Sequence, residues 1–136
     1  MMIDTNVVID LVTPTSPWFN WAVRVMAKGT ASGGVTASTI VVAELAAQRS
    51  SDADIVGKLG RLGVRPVDFD AVGGCRAGRA QAAYRAAGGK REKLLGDFLI
   101  GAHAVSRNVP LATRDPSYYR RYFPDLTLIT PETENG

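Results

Sequence analysis

The sequence predicts a single α/β domain of three layers, with helices on both faces of a five-stranded parallel sheet. Short apolar runs that fit strands alternate along the chain with longer segments of helical periodicity. The chain has 136 residues, 46% of them hydrophobic, which suits one domain with a substantial core. No internal repeat breaks the alternation. We therefore expect one domain over residues 1–136, with residues 131–136 as a loose tail.

The first predicted strand is short and runs directly into polar residues. Only Met1 to Ile3 are available for it, and Asp4, Thr5 and Asn6 follow as a turn. From about Val7 the apolar residues recur at helical spacing, which predicts a short helix. In open α/β sheets, ligands bind where the strands end at their carboxyl side. Asp4 is expected to lie at that edge.

Capping residues and chain breakers define the remaining elements. Ser16 is a good N-cap, with Pro17 at the first helical position. Ser38 or Thr39 can cap the helix after the second strand, and Asp70 can cap the long helix after the third. In chain order we expect a helix 16–29, a strand 35–37, a helix 40–48, a helix 50–63, a strand 64–67, a helix 70–88, a helix 94–107, a strand 110–113, a helix 115–122 and a strand 126–129.

Composition excludes several classes of protein. The formal net charge of +3 is by itself weak evidence for a nucleic-acid partner. No apolar run approaches the ~20 residues of a membrane span, and no secretory leader is visible. Cys75 is the single cysteine, so an internal disulfide is impossible and a reducing cytosol is the natural environment. We expect a cytoplasmic protein without a membrane partner.

Four carboxylates occupy unusual positions in the sequence. Glu44 lies among apolar residues of a predicted helix, and burying it is costly unless it is protonated, paired or bound to a cation. Its ordinary alternative is an exposed helix residue, and for Asp97 and Asp115 the alternative is an N-cap. However, Asp115 follows the fourth strand as Asp4 follows the first. Together the four can converge on one edge of the sheet.

Such a cluster has a characteristic chemistry. Carboxylates a few ångströms apart repel one another and cannot all stay ionised without counter-charge. Hard divalent cations solve this problem, and Mg²⁺ or Mn²⁺ suits an all-carboxylate site. No His or Cys accompanies the set, which argues against zinc. A metal pair ~3.5–4 Å apart can activate water against a phosphodiester, in RNA or in DNA.

With these residues in place, the chain resembles PIN-domain ribonucleases, specifically the VapC-type toxins of bacterial toxin–antitoxin (VapBC) systems. The matching segments occur in family order over nearly the whole chain, at residues 4–6, 43–45, 96–102 and 111–115. The resemblance implies a sheet of order 3-2-1-4-5, which would make Asp4 and Asp115 neighbours. It also implies a Mg²⁺- or Mn²⁺-dependent endoribonuclease, a homodimer and a small VapB-like antitoxin that blocks the site.

The resemblance also implies roles for individual residues. The metal ligands and catalytic carboxylates would be Asp4, Glu44, Asp97 and Asp115, with Thr113 completing the catalytic set and Thr5 and Asn6 supporting it through hydrogen bonds. Basic residues near the proposed site favour contacts with RNA phosphates over ordinary solvated helix faces. The candidates for these contacts are Arg91, Lys93 and Arg114.

Two other functions compete with this interpretation. A catalytically silent PIN domain would bind RNA or a partner without cutting, and the intact acidic set argues against it. A receiver-type phosphoacceptor domain is also a small α/β unit with an acidic Mg²⁺ site. Asp68 could be its acceptor, but Asp4 is followed by Thr5 and Asn6 instead of an acid, and no Lys follows the fifth strand.

The aromatic and imidazole side chains near the site are expected to be structural. His103 lies six positions after Asp97, on another face of the same helix. Tyr118, Tyr119 and Tyr122 are expected to pack the last helix against the sheet, although tyrosines can also stack on bases.

Overall fold

Five short strands form one parallel sheet in a computed structural model that describes residues 1–48 and 54–134. In chain order the strands are β1 (Met2–Ile3), β2 (Val35–Ser38), β3 (Val64–Val67), β4 (Leu111–Ala112) and β5 (Leu128–Ile129). Their order across the sheet is β3-β2-β1-β4-β5, so the order implied by the resemblance is confirmed. β1 therefore lies at the centre of the sheet, although it has only two residues.

The pairing of β1 sets the position of the residues that follow it. Met2 pairs with Thr36 on one side and with Leu111 on the other, and Ile3 pairs with Ala112. The Asp4 N–H then donates to the Ala112 carbonyl at 2.9 Å, which extends the pairing by one residue. Asp4 consequently leaves the sheet at its carboxyl edge, beside the end of β4.

Helices cover the sheet to give the predicted three-layer α/β/α architecture. They are α1 (Thr5–Leu11), α2 (Phe19–Ala31), α3 (Thr39–Ala47), α4 (Ile55–Arg61), α5 (Ala71–Ala86), α6 (Gly96–Ser106), α7 (Ser117–Tyr122) and α8 (Pro131–Glu134). The core includes the fully buried side chains of Met2, Ile3, Phe98, Leu111 and Tyr119. Within the described residues, no helix has the length and apolarity needed to cross a lipid bilayer.

Two predicted helix starts are wrong. α1 begins at Thr5 and not near Val7, since Asp4 is its N-cap and accepts from the Thr5 N–H; the expected turn at residues 4–6 is absent. The Ser16 hydroxyl accepts from the Trp18 N–H at 3.1 Å, as an N-cap does, and donates to Asp10, but α2 begins only at Phe19.

The other boundaries shift by a few residues. α7 begins at Ser117, so Asp115 does not open it. The predicted start at residues 50–52 lies outside the described residues, and α4 begins at Ile55 with Asp54 as its N-cap. Of the tail predicted at residues 131–136, Pro131–Glu134 form the short helix α8, where the Thr133 hydroxyl donates to the Thr130 carbonyl, and residues 135–136 lie outside the described residues.

Candidate active site

Asp4 is a buried carboxylate, 5% exposed, at the carboxyl end of the central strand. Its Oδ1 accepts from the Thr5 N–H at 2.8 Å, at the N-terminus of α1. Its Oδ2 accepts from Thr113 Oγ1 at 2.8 Å and from Tyr119 Oη at 2.9 Å. A buried carboxylate needs such donors because it has lost its water. The three donors fix the orientation of Asp4.

Asp97 lies in the first turn of α6 and approaches Asp4 through Tyr119. The Tyr119 Oη is 3.4 Å from Asp97 Oδ1 and 2.9 Å from Asp4 Oδ2. A phenol carries one proton, and the shorter distance assigns it to Asp4. The Tyr119 hydroxyl therefore donates to Asp4 and also lies next to the Asp97 carboxylate.

Glu44 reaches the same site from α3. Its Oε1 accepts from Thr5 Oγ1 at 2.6 Å. Its Oε2 lies against Gly96, where an added Cβ would be only 2.7 Å away. The absence of a side chain at Gly96 lets the Glu44 carboxylate approach the start of α6, next to Asp97.

Thr113 connects the fourth carboxylate to the first. Its hydroxyl donates to Asp4 and accepts from the Asp115 N–H and from Asn6 Nδ2, each at 3.1 Å. Asp115 itself is exposed, in the segment after β4. Thr113 is fully buried, so its hydroxyl has few alternative partners. The residues that sequence reasoning placed in supporting roles thus form one hydrogen-bond network around Asp4.

The pKa values indicate that the four carboxylates interact. Burial raises the pKa of Asp97 to about 6, and the charges of Asp4, Asp115 and Glu44 add to the rise, against a lowering hydrogen bond from Tyr119. Burial also raises the pKa of Asp4, with a contribution from Glu44, although its hydrogen bonds oppose this. The structure therefore brings all four predicted carboxylates into one electrostatic cluster.

The cluster fits a divalent cation by its chemistry. All the donors are oxygens, and no Lys, Arg or His among the described residues forms an ion pair with any of the four. The side chains do not form a closed cage, since no three acidic, His or Cys residues in the described ranges are already spaced to hold a metal ion. Both Asp4 oxygens accept from protein donors, namely the Thr5 N–H, the Thr113 hydroxyl and the Tyr119 hydroxyl.

A family model described as "PIN domain" matches residues 1–124. The chain belongs to the PIN domain family. PIN domains generally use divalent metals, in agreement with the donor set of this site. No curated protein sequence matches the chain.

Solved structures of toxin–antitoxin complexes have the same fold as this PIN domain. VapBC2 from Rickettsia felis, bound to a promoter DNA fragment, is similar with a TM-score of 0.69 and 22% identity. DNA-bound VapBC from Salmonella typhimurium is similar with a TM-score of 0.69 and 19% identity. VapBC-1 from nontypeable Haemophilus influenzae is similar with a TM-score of 0.68 and 19% identity. Each match covers 95% of this chain and 96% of the other.

The three predicted phosphate contacts differ in their surroundings. Arg91 and Lys93 are exposed in the segment between α5 and α6. The Arg114 Nε instead donates to Asp10 Oδ2 at 2.7 Å. Asp10 is 2% exposed and also accepts from the Ser16 hydroxyl at 2.9 Å. Arg114 thus already neutralises a buried carboxylate of α1.

Tyr119 is the site residue that sequence reasoning missed. It is buried, as expected, but its hydroxyl also donates to Asp4. A signal was available, because a buried tyrosine hydroxyl almost always finds a polar partner. His103 is structural, as expected: it is buried, and its Nδ1 lies 2.7 Å from the Ser38 hydroxyl.

Proposed function

We propose that this PIN domain is a Mg²⁺-dependent endoribonuclease, a hydrolase of RNA phosphodiester bonds, and the toxin of a type II toxin–antitoxin system. The observation that carries the proposal is the convergence of Asp4, Glu44, Asp97 and Asp115 at the carboxyl edge of the sheet, where burial and then the charges of the other three raise the pKa of Asp97 to about 6. A concentration of negative charge that forms no ion pair with a cation among the described residues suits divalent metal chemistry.

The four carboxylates would hold Mg²⁺, or Mn²⁺ in its place. When bound, the metal supplies activation of water and stabilisation of the leaving oxygen. The protein's own contribution is to orient the carboxylates. Thr113 and the Thr5 N–H hold Asp4, and the Thr5 hydroxyl holds Glu44 at 2.6 Å. Such supporting hydrogen bonds typically matter about 10–100-fold for metal affinity or activity.

The proposed substrate is RNA, held partly through its phosphates. Arg91 and Lys93 precede Asp97 in the sequence and are exposed, so they can meet a polyanion at the rim of the acidic site. Arg114 is one-third exposed although its Nε is bound to Asp10, so its remaining N–H groups can contribute to the same task.

The proposed partner is a small VapB-like antitoxin. The similar structures from Rickettsia felis, Salmonella typhimurium and Haemophilus influenzae are all VapBC complexes, which supports a partner of this kind. We also propose a homodimer, which the resemblance to VapC-type toxins implies, and a cytoplasmic location, which the single cysteine favours.

Cleavage assays with asparagine variants test the nuclease. Asp4→Asn and Asp97→Asn should each lower Mg²⁺-dependent cleavage of single-stranded RNA by about 10²–10³-fold, because each removes a charge that the metal requires. Chelation by EDTA should abolish cleavage by the wild type. The matched control is Asp68→Asn, an exposed aspartate outside the cluster, which should cleave like the wild type.

The outcomes separate the competing functions. Wild-type cleavage by both Asp4→Asn and Asp97→Asn would remove the proposed mechanism. RNA binding by a wild-type protein that never cuts would indicate a catalytically silent PIN domain. A phosphoacceptor domain would instead take up phosphate at Asp68, and only the Asp68→Asn variant would lose it.

A further inference from the structure

Gln81 is a buried amide on α5 that holds the backbone of another segment. It is 3% exposed. Its Nε2 donates to the carbonyls of Arg91 and Lys93, each at 3.1 Å. Its Oε1 accepts from the Leu95 N–H at 3.1 Å. One side chain thus fixes three backbone groups within five residues, and the buried amide leaves no donor unused.

We name residues 87–95, which join α5 to α6, the basic connector. It carries three cations and one carboxylate, all exposed, namely Lys90, Arg91, Lys93 and Glu92. Among the described residues, no carboxylate lies within ion-pair distance of the three cations. Three arginines elsewhere are engaged in ion pairs, Arg76 with Asp125, Arg114 with Asp10 and Arg120 with Glu132. The basic connector therefore presents unpaired positive charge.

The basic connector leads directly into the acidic cluster. Leu95 is the N-cap residue of α6, and Asp97 lies in its first turn. Tyr118 on α7 senses both segments. Its pKa is raised mainly by the hydrogen bond and the charge of Tyr84; the charge of Arg91 opposes this rise, and the charge of Asp97 adds to it. Arg91 and Asp97 thus act on the same side chain.

We propose that Gln81 is a positioning residue for substrate: it holds the basic connector in the conformation in which Arg91 and Lys93 contact RNA phosphates beside the acidic cluster. The inference rests on the proposed nuclease function. A nine-residue connection rich in Gly and Lys would otherwise sample many conformations, and binding would have to order it. A basic connector that is already ordered can bind the phosphates without losing this conformational entropy.

The matched variants are Gln81→Met and Gln48→Met, at the only two glutamines of the chain. Gln48 is exposed at the C-cap of α3. Gln81→Met keeps the volume and removes all three hydrogen bonds, whereas Gln81→Glu keeps the acceptor for the Leu95 N–H. The doubly substituted Arg91→Ala/Lys93→Ala protein removes the cations alone. Gln81→Glu replaces Gln81→Met in every assay if the latter does not fold.

Amide exchange, RNA binding and the kinetics of RNA cleavage on these proteins test the proposal. Amide hydrogen exchange at Leu95, without RNA, reports on the connector directly. Anisotropy of a labelled single-stranded RNA, at several salt concentrations, reports on binding. The anisotropy measurements use proteins that also carry Asp97→Asn, and gels verify that the RNA stays intact.

Gln81→Met should accelerate Leu95 exchange at least about tenfold and weaken RNA binding about three- to tenfold. The Arg91→Ala/Lys93→Ala protein should bind with a salt slope smaller by about 1.4, because each lost contact removes about 0.7. With Asp97 intact, Gln81→Met should raise KM and change kcat less than about twofold. Gln48→Met should behave like the wild type throughout.

Several results would overturn the inference. One is faster Leu95 exchange with unchanged RNA affinity, which would make Gln81 purely structural. Another is wild-type binding by the Arg91→Ala/Lys93→Ala protein. A loss of kcat without a change in KM would also contradict it. These outcomes differ from a failure of the nuclease proposal, in which wild-type protein with Asp97 intact would not cleave RNA at all.

Discussion

A single phenol contacts two carboxylates of the cluster, Asp4 and Asp97. Tyr119 is fully buried, and its hydroxyl contacts Asp4 at 2.9 Å and Asp97 at 3.4 Å. Its pKa is raised well above 10.0, first by burial and then by the charges of Asp4 and Asp97. The hydroxyl therefore stays protonated at neutral pH and acts as a donor to Asp4.

Removal of that hydroxyl should destabilise the metal-free protein. Tyr119→Phe leaves Asp4 with one donor fewer in a buried environment, and we expect a loss of about 1–2 kcal/mol in the free energy of unfolding. Tyr122→Phe is the control, because the Tyr122 ring packs on Phe98 and no described residue accepts from its hydroxyl. Urea unfolding at pH 7 measures both variants. Equal losses would contradict the role given to the Tyr119 hydroxyl.

Asp97 should make the metal-free protein less stable as the pH rises. Its folded-state pKa of about 6 lies above the ordinary value of 3.8, so the folded protein retains a proton that the unfolded chain releases. The contribution of that proton to the free energy of unfolding is fully present below pH 3.8 and is lost as the pH rises through about 6.

Asp97→Asn lacks this pH-dependent loss. Near pH 4 its free energy of unfolding should nearly equal that of the wild type. Near pH 8 it should be higher than that of the wild type by about 1–2 kcal/mol, a value reduced to allow for the partial solvent exposure of Asp97. Denaturant unfolding at the two pH values, in the presence of EDTA, provides the measurement. A difference of the same size at both would show that Asp97 does not titrate as inferred.

At the scale of elements, the contact between α6 and α7 brings Asp97 and Tyr119 together. Gly101 on α6 allows this contact, since an added Cβ would lie 2.8 Å from the Phe123 ring and 3.0 Å from the Tyr119 ring. Both rings are fully buried and have little room to move. The glycine thus lets α7 approach α6 closely.

Alanine at Gly101 should therefore destabilise the protein by about 1–3 kcal/mol through overpacking. The matched control is Gly78→Ala on α5, where the position is exposed and an added Cβ would meet no atom within 4 Å. That variant should be more stable by about 0.5–1 kcal/mol, because alanine is the better helix former. Thermal unfolding of both proteins gives the comparison, and destabilisation by both would refute the packing argument.

For the whole molecule, sheet order explains how a small chain concentrates four carboxylates. β1 and β4 are parallel neighbours, so Asp4 and Thr113 emerge side by side at their carboxyl ends. α3 and α6 then bring Glu44 and Asp97 to the same edge. Residues far apart in sequence are assembled in this way by one topology.

A free nuclease of this kind should stop cell growth. Expression of the wild-type chain without its partner should arrest a bacterial culture, because its RNA would be cut, and co-expression of the adjacent small gene should relieve the arrest. The Asp4→Asn protein, expressed to the same level, should not arrest growth. Growth curves, together with mapping of RNA 5′ ends, provide the test. Arrest by the Asp4→Asn protein would count against a toxin that acts through this site.

The sequence predicted the sheet well because strand and helix periods are local properties. All five strands and the capping role of Asp70 were recognised from short-range patterns, and Ser38 was one of the two candidate caps of α3. The errors at α1 and α2 have a different origin. Asp4 caps α1 instead of forming a turn, and Ser16 accepts from the Trp18 N–H although α2 begins only at Phe19, so a capping residue type alone did not place either helix start.

By itself, the sequence determined the α/β class, the four carboxylates and their relation to the PIN family, since each depends on residue type and order. Only the tertiary structure decided which groups hold those carboxylates. The Tyr119 hydroxyl on Asp4, the Arg114–Asp10 pair and the Gln81 contacts with residues 91–95 join segments that the chain alone does not relate. The physical reason is that a buried polar group takes whichever partner folding brings within about 3 Å, and sequence spacing does not encode that distance.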